Sequence, residues 1–191
     1  MFEDKVVHYH NFPKPGIDFI DIMPVLQNKQ LYKTVVNQLA SMVTAPNIAT
    51  MEARGFLFAP SILSVSDIVQ VFVPIRKKGK LPFKEGDMRH VVIHKEYGDD
   101  IANYRLSDLA ACIKNDDVIE ITLFDDLLAT GGTVKGIIDS LLQERIVIDD
   151  KAYRIRLKEC VFLAELTNLP GRAVVEQYAP VKSLMQVTEE I

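Results

Sequence analysis

The chain has 191 residues, 48% of them hydrophobic and 25% charged, with a formal net charge of −4. That length suits one domain, residues 1–191, with a well-buried core, and the composition is ordinary for a soluble globular protein. The negative balance argues against a general binder of nucleic acid or of anionic membranes, which would need a positive field.

The start, "MFEDKVVHYH", lacks the apolar stretch of a signal peptide, and no run approaches the length of a membrane span. Cys112 and Cys160 stand far apart without metal-ligand spacing, so two free thiols in a reducing cytoplasm are expected. "NFPKPGIDFIDIMP", with Pro13, Pro15, Gly16 and Pro24, predicts an extended, turn-bearing arm. In "NKQLYKTVVNQLASMV" the spacing of Leu31, Val35, Leu39 and Met42/Val43 predicts an amphipathic helix. "NIATME" is a short strand candidate, and "RGFLFAPSILSVS" reads as a helix to which Pro60 is a mild objection. "IVQVFVPI" predicts a buried strand bounded by Pro74.

"RKKGKLPFKEGDMRH" is basic, contains glycine and has no periodicity, which predicts a mobile loop. "VVIHKEYG" and "IANYRL" predict a strand pair around "GDD", and "SDLAACIK" a helical turn capped by Ser107. "DVIEITLF" is the cleanest strand of the chain, and "TVKGIIDSLLQE" a helix by the spacing of Val134, Ile137/Ile138 and Leu141/Leu142. "CVFLAEL" and "VKSLMQV" close the series as strands. Strands alternating with helices predict an α/β fold around a mainly parallel central sheet.

The stretch "ITLFDDLLATGGTV" carries the chemistry. Asp125 and Asp126 fall at the carboxyl end of a strand, where open α/β sheets bind ligands. "ATGGT", residues 129–133, leads into a helix N-terminus, whose free N–H groups and dipole suit a phosphate. Gly131 and Gly132 allow close approach of the backbone, and Thr130 and Thr133 add hydroxyls. Two carboxylates beside a phosphate cradle suit either vicinal sugar hydroxyls, which donate hydrogen bonds, or a phosphate-bound Mg²⁺. The pattern spells a sugar phosphate, while G-x-x-x-x-G-K-[ST] and G-x-G-x-x-G are both missing from the sequence. His8, His10, His90 and His94 form close pairs without further ligands at convincing spacing, so no metal centre is expected from them.

"DDLLATGGT" after an apolar strand resembles the phosphoribosyl pyrophosphate motif of the type I phosphoribosyltransferases, most closely of their adenine-using members. "FPKPGIDFIDIMPVL", "EARGFLFAPSI", "IRKKGKLP", "KEYG" and "ELTNLPGR" resemble further blocks of that family in the same order. The resemblance implies the type I phosphoribosyltransferase fold with a small N-terminal base-binding arm and a flexible flap. It implies transfer of ribose 5-phosphate from phosphoribosyl pyrophosphate to adenine, giving AMP and pyrophosphate, with Mg²⁺ bound mainly through the pyrophosphate. It also implies a homodimer.

By the same resemblance Asp125, Asp126, Ala129, Thr130, Gly131, Gly132 and Thr133 would hold the phosphoribosyl group. Arg54, Arg76, Lys77 and Lys80 would serve the pyrophosphate side. Asp18, Phe19, Ile20 and Tyr97 would serve the base, and Glu96 would be the acid/base of the flap. The chain departs from the family where Asp18 replaces an apolar residue and Ile20 an arginine; restoring arginine at position 20 is expected to improve use of adenine modestly. These two changes leave open another purine base, and a non-catalytic phosphoribosyl pyrophosphate sensor is the alternative from a different class. The segments near 83–95 and 145–158 are longer than the family's, the second predicting an added hairpin or extended edge.

Overall fold

The computed structural model describes residues 5–9, 19–93, 99–114 and 117–188. Asp18, Glu96 and Tyr97 of the expected site, with the greater part of the proline-bearing arm, lie outside the described residues. What precedes the main sheet is a small ribbon: β1 (Val7–Tyr9) pairs antiparallel with β2 (Phe19–Asp21), setting Tyr9 opposite Phe19. A one-turn helix, α1 (Met23–Leu26), follows with Pro24 in its first turn, where no intrahelical N–H is needed. The Asn28 side chain then accepts the Leu31 amide at 3.0 Å and caps α2 (Lys29–Met42), which buries Val35, Val36 and Leu39.

Strand β3 (Asn47–Met51) leads through a 3-10 turn at Gly55–Leu57 into α3 (Ala59–Val65). Pro60 sits in the first turn of α3, so the expected objection to a helix there disappears. β4 (Val71–Lys77) runs past Pro74 rather than ending at it. The Ile75 carbonyl accepts the Glu52 amide, so Ile75 faces β3 and Pro74 faces the opposite edge, where pairing begins only at Arg76. A proline is tolerated at such an unpaired position. Arg76 and Lys77 are therefore strand residues, not loop residues as the glycine-rich composition suggested.

The expected loop is also shorter at its far end. Met88, Arg89 and His90 belong to β5 (Met88–Ile93), which pairs antiparallel with β6 (Asp100–Arg105). α4 (Leu106–Ala110) is capped by a remote group, not by Ser107. Asp87 receives both the Ser107 amide and the Ser107 hydroxyl at 2.8 Å. β7 (Val118–Leu128) continues through both acids, and α5 (Gly132–Gln143) starts four residues after it.

The long β9 (Lys151–Leu166) is preceded by β8 (Arg145–Ile148), and the two form the hairpin expected from the inserted segment. Its turn is Asp149–Asp150 at φ 49° and 62°, as a two-residue turn with both central residues left-handed requires. α6 (Gly171–Val175) and β10 (Val181–Val187) complete the chain.

The sheet order is β10-β9-β7-β3-β4-β6-β5, with β8 added to β9. The run from β10 to β4 is parallel, and β6 and β5 are antiparallel. Both faces are covered, because neighbouring residues of each central strand feed different clusters. Ala49, Leu123 and Phe162 pack with α5, while Ile48, Phe124 and Val161 pack with α2 and α3. The mainly parallel sheet expected from strand–helix alternation is thus observed. Among the described residues, no helix is long and apolar enough to cross a membrane.

Candidate active site

The parallel strands end together, and the expected sugar-phosphate residues collect at that edge. β7 delivers Asp125 and Asp126, and its hydrogen-bonded neighbour β3 delivers Met51 followed by Glu52, Ala53 and Arg54. Gly131 is the N-cap of α5 at φ 80°, a left-handed conformation open to glycine at little cost. A cavity of about 210 Å³ is lined by Met51, Arg54 and the unbroken run from Asp125 to Val134. Ala129, Thr130, Gly131, Gly132 and Thr133 are therefore brought together with both acids.

Arg54 is the junction of this site. Its Nε lies 2.8 Å from Asp126 Oδ2, its Nη1 donates to the Ile20 carbonyl at 3.0 Å, and its guanidinium carbon stands 5.1 Å from the Phe19 ring centroid. One side chain thus ties the β2 arm to the carboxylate that ends β7. Arg54 also lines a second, mainly apolar cavity of about 440 Å³ with Tyr9, Phe19, Asp21 and Met23. The expected base-side Phe19 is placed there. Ile20 is not: its side chain is 2% exposed and packed in the α2–α3 cluster, so position 20 offers its carbonyl and not its side chain.

The cations expected on the pyrophosphate side divide. Lys77 lines a third cavity of about 510 Å³ with Met51, Glu52, Lys78 and residues 99–102. Arg76 instead donates to Glu52 at 2.7 Å and stands 6.0 Å from the Phe56 ring centroid, while the Lys77 amide binds the other Glu52 oxygen at 2.9 Å. Glu52 thereby fastens the turn after β3 to the end of β4. Lys80 is exposed, its amide closing a turn on the Lys77 carbonyl. Arg54 stands with the Phe19 cavity and the Asp125–Val134 cavity, not with the lysines. Glu52, Met51 and Lys78 were missed from sequence. The available signal was "TMEARG", where charge follows an apolar strand without a break.

The electrostatics bear on the ligand. Burial and the neighbouring Asp126 charge hold the Asp125 carboxyl well above its ordinary range, against the pull of its hydrogen bond from the Asp126 amide and of Arg54. Burial also raises Asp126, with Arg54 opposing the rise. Two crowded carboxyls of this kind are relieved by hydroxyl donors or by a cation, and each such ligand favours the ionised pair. Among the described residues no group of three or more His, Cys, Asp or Glu is placed to hold a metal ion. His90 Nδ1 is within 2.6 Å of Asn103 Oδ1 between β5 and β6, away from the acids. Cys112 and Cys160 are both buried free thiols, each pushed up to about 12 by burial.

A search against family models returned no match. Individual relatives are plain. The chain is 37% identical over 176 residues to the adenine phosphoribosyltransferase of Caenorhabditis elegans, covering 90% of this chain and 84% of that one. The crystal structure of adenine phosphoribosyltransferase from Thermoanaerobacter pseudethanolicus superposes with a TM-score of 0.76 at 30% identity, over 97% of this chain and 98% of that one. The Saccharomyces cerevisiae enzyme, complexed with D-2,5-dideoxy-2,5-imino-altritol 1,6-bisphosphate and adenine, gives 0.74 at 29% identity over 96% of each chain. With this fold, this cradle and relatives matched nearly end to end, the chain belongs to the adenine phosphoribosyltransferase family.

Proposed function

We propose that this chain transfers the 5-phosphoribosyl group of phosphoribosyl pyrophosphate to adenine, forming AMP and pyrophosphate in purine salvage. The observation that carries this reading is the row of three adjoining cavities. Arg54 is shared by the Phe19 cavity and the Asp125–Val134 cavity, and Met51 by the Asp125–Val134 cavity and the one beside Lys77. A base against Phe19, a ribose phosphate over Asp125 to Thr133 and a pyrophosphate beside Lys77 and Lys78 would lie in the order the reaction demands. The yeast relative's bisphosphate and adenine are ligands of the same two kinds.

In this reading the bond from ribose C1′ to the pyrophosphate oxygen breaks as a purine nitrogen bonds to C1′, with positive charge developing on the sugar. Asp125 and Asp126 accept the ring hydroxyls, and the loop amides and the start of α5 hold the 5-phosphate. Fixing both partners converts an encounter into an oriented reaction. Lys77 and Lys78 at the leaving-group side stabilise the charge that leaves. Glu96, on the flap by resemblance, exchanges the proton of the base.

The residues present fit Mg²⁺ carried on the substrate. That ion prefers phosphate oxygens with one or two carboxylates, and among the described residues Asp125, unlike Asp126, is in no ion pair. Neutralisation of charge on the leaving pyrophosphate is the chemistry the ion supplies when bound. We read residues 1–191 as one cytoplasmic domain, which the two buried free thiols support, and as half of a homodimer, on the family resemblance. The test is incubation of the purified chain with adenine, phosphoribosyl pyrophosphate and Mg²⁺. Appearance of AMP and pyrophosphate in equal amounts is expected, and no AMP from an intact, folded chain would overturn the reading.

A further inference from the structure

The phosphate loop rests on the segment after β9, and the contact is between backbones. A Cβ added at Gly171 would fall on the Ala129 carbonyl oxygen, with the Ala129 carbonyl carbon and Leu128 Cδ1 each 3.0 Å away. From the other side, a Cβ at Gly131 would meet Gly171 Cα and its carbonyl oxygen at 3.1 Å and Val174 Cβ at 3.3 Å. The two glycines thus face one another, and the curve of the loop from Ala129 to Gly131 follows the start of α6.

What holds Gly171 there is a buried carboxylate. Glu165 is 3% exposed and sits on β9 in register with Leu128, the last strand residue before the loop. It receives Arg172 Nη2 at 2.6 Å and Nε at 3.1 Å, the Ser183 hydroxyl at 2.6 Å and the Gln186 amide at 2.9 Å. Arg172 also donates to Glu176 at 2.7 Å and to the Val181 carbonyl at 3.0 Å. A two-pronged guanidinium–carboxylate pair fixes direction as well as distance. Its location, one residue after Gly171 on one side and level with Leu128 on the other, fixes both ends of the loop contact. Among the described residues, Glu165, Arg172, Ser183 and Gln186 line none of the three cavities above, so the network bears on their ligands through the loop.

We propose that Gly171 is a positioning residue for the 5-phosphate, held in place by the Arg172–Glu165 pair. The inference rests on the proposed function, since it takes the loop from Ala129 to Thr133 as the phosphate cradle. The acids that meet the ring hydroxyls and the Phe19 cavity that meets the base lie on other elements. Displacing the loop therefore weakens phosphoribosyl ligands and spares the base.

The test compares Gly171→Ala and Arg172→Lys with the unaltered chain. Steady-state KM values for phosphoribosyl pyrophosphate and adenine are read alongside calorimetric binding of ribose 5-phosphate and melting temperature. Gly171→Ala should raise KM for phosphoribosyl pyrophosphate about tenfold or more while adenine KM stays within about twofold, and ribose 5-phosphate binding should weaken in parallel. Arg172→Lys keeps the charge but loses the fork, and should shift the same two quantities in the same direction by less.

Both KM values unchanged, or both raised by the same factor, would reduce the contact to packing and overturn the inference. Should Gly171→Ala not fold, Arg172→Lys decides by the same criterion. The ribose 5-phosphate arm separates the two proposals. Weakened binding in the variants upholds the loop contact even if adenine proves not to be the base. Intact AMP formation with unselective variants would remove the positioning role and leave the function standing.

Discussion

Replacing Arg54 by alanine should destabilise the protein at neutral pH more than in acid. Asp126 is 7% exposed and Arg54 is its ion-pair partner, at 2.8 Å. Removing one member of a buried pair leaves an uncompensated charge and typically costs about 3–5 kcal/mol. The Arg54 side chain is 27% exposed, so water screens part of that attraction and about 2–3 kcal/mol is the fitting magnitude. With a urea dependence of about 2 kcal/mol per molar, the unfolding midpoint should fall by about 1–1.5 M.

The sign of the pH effect follows from the folded-state shift of Asp126, which burial raises and Arg54 restrains. Without Arg54 the folded carboxyl rises further above its unfolded value. The unfolded chain then releases its proton first as pH rises, so stability falls across that window and levels off above the folded value. Urea melts at about pH 7 and about pH 4 should show the larger deficit at about pH 7. Adding Asp126→Asn to Arg54→Ala should restore much of the loss, since no charge is then stranded. A midpoint within about 0.3 M of the unaltered chain at both pH values, or no recovery in the double variant, would refute the pairing argument.

In the cradle, Asp125→Ala and Asp126→Ala should each weaken AMP binding by about 1.5–3 kcal/mol in calorimetry, the worth of a hydrogen bond to a charged group. A Cβ at Gly132 meets nothing nearer than the Thr130 hydroxyl at 4.0 Å, so Gly132→Val should keep its melting temperature and lose AMP affinity; equal affinity would remove the loop from the site. Glu159 is a separate test of electrostatics remote from the cavities. Burial alone would raise it, but hydrogen bonds from the Thr122 and Thr44 hydroxyls and the Thr44 amide, with Lys182 nearby, outweigh burial and hold it below its ordinary 4.5. Its contribution is present above that value and lost as pH falls through the folded one, so Glu159→Gln should flatten the acid limb of the melting-temperature profile. Ile20→Arg, expected from sequence to improve adenine use, should instead lower thermal stability, because position 20 is 2% exposed inside a core and a guanidinium there has to be desolvated.

The parts legible in the sequence were those in which local pattern and tertiary role coincide. The run of Ile121, Leu123 and Phe124 declared a strand covered on both faces, and Asp125 to Thr133 remained one contiguous site. The extra length of the 145–158 segment relative to the family pointed to an added hairpin or extended edge, and the hairpin of β8 and β9 is what forms. What was not legible depends on partners distant in sequence. Ser107 looked like a cap until Asp87, 20 residues earlier, took both of its donors. Pro74 looked like a terminator because its empty edge becomes visible only with the β6 register. Arg54 was assigned to the pyrophosphate side by resemblance, whereas its geometry is set by Asp126, Ile20 and Phe19. The carboxylate of Glu52 was overlooked because nothing in "MEAR" shows that it will meet Arg76.

Competition among bases tests the central claim most directly. Equimolar adenine, hypoxanthine and guanine are supplied with limiting phosphoribosyl pyrophosphate and Mg²⁺, and the nucleotide products are resolved. A site that hydrogen-bonds a particular pattern of ring donors and acceptors rejects the reversed pattern strongly, because buried partners are left unpaired. The account predicts AMP as the dominant product, with inosine and guanosine monophosphates at trace levels. Predominance of a 6-oxopurine nucleotide with adenine untouched would contradict it.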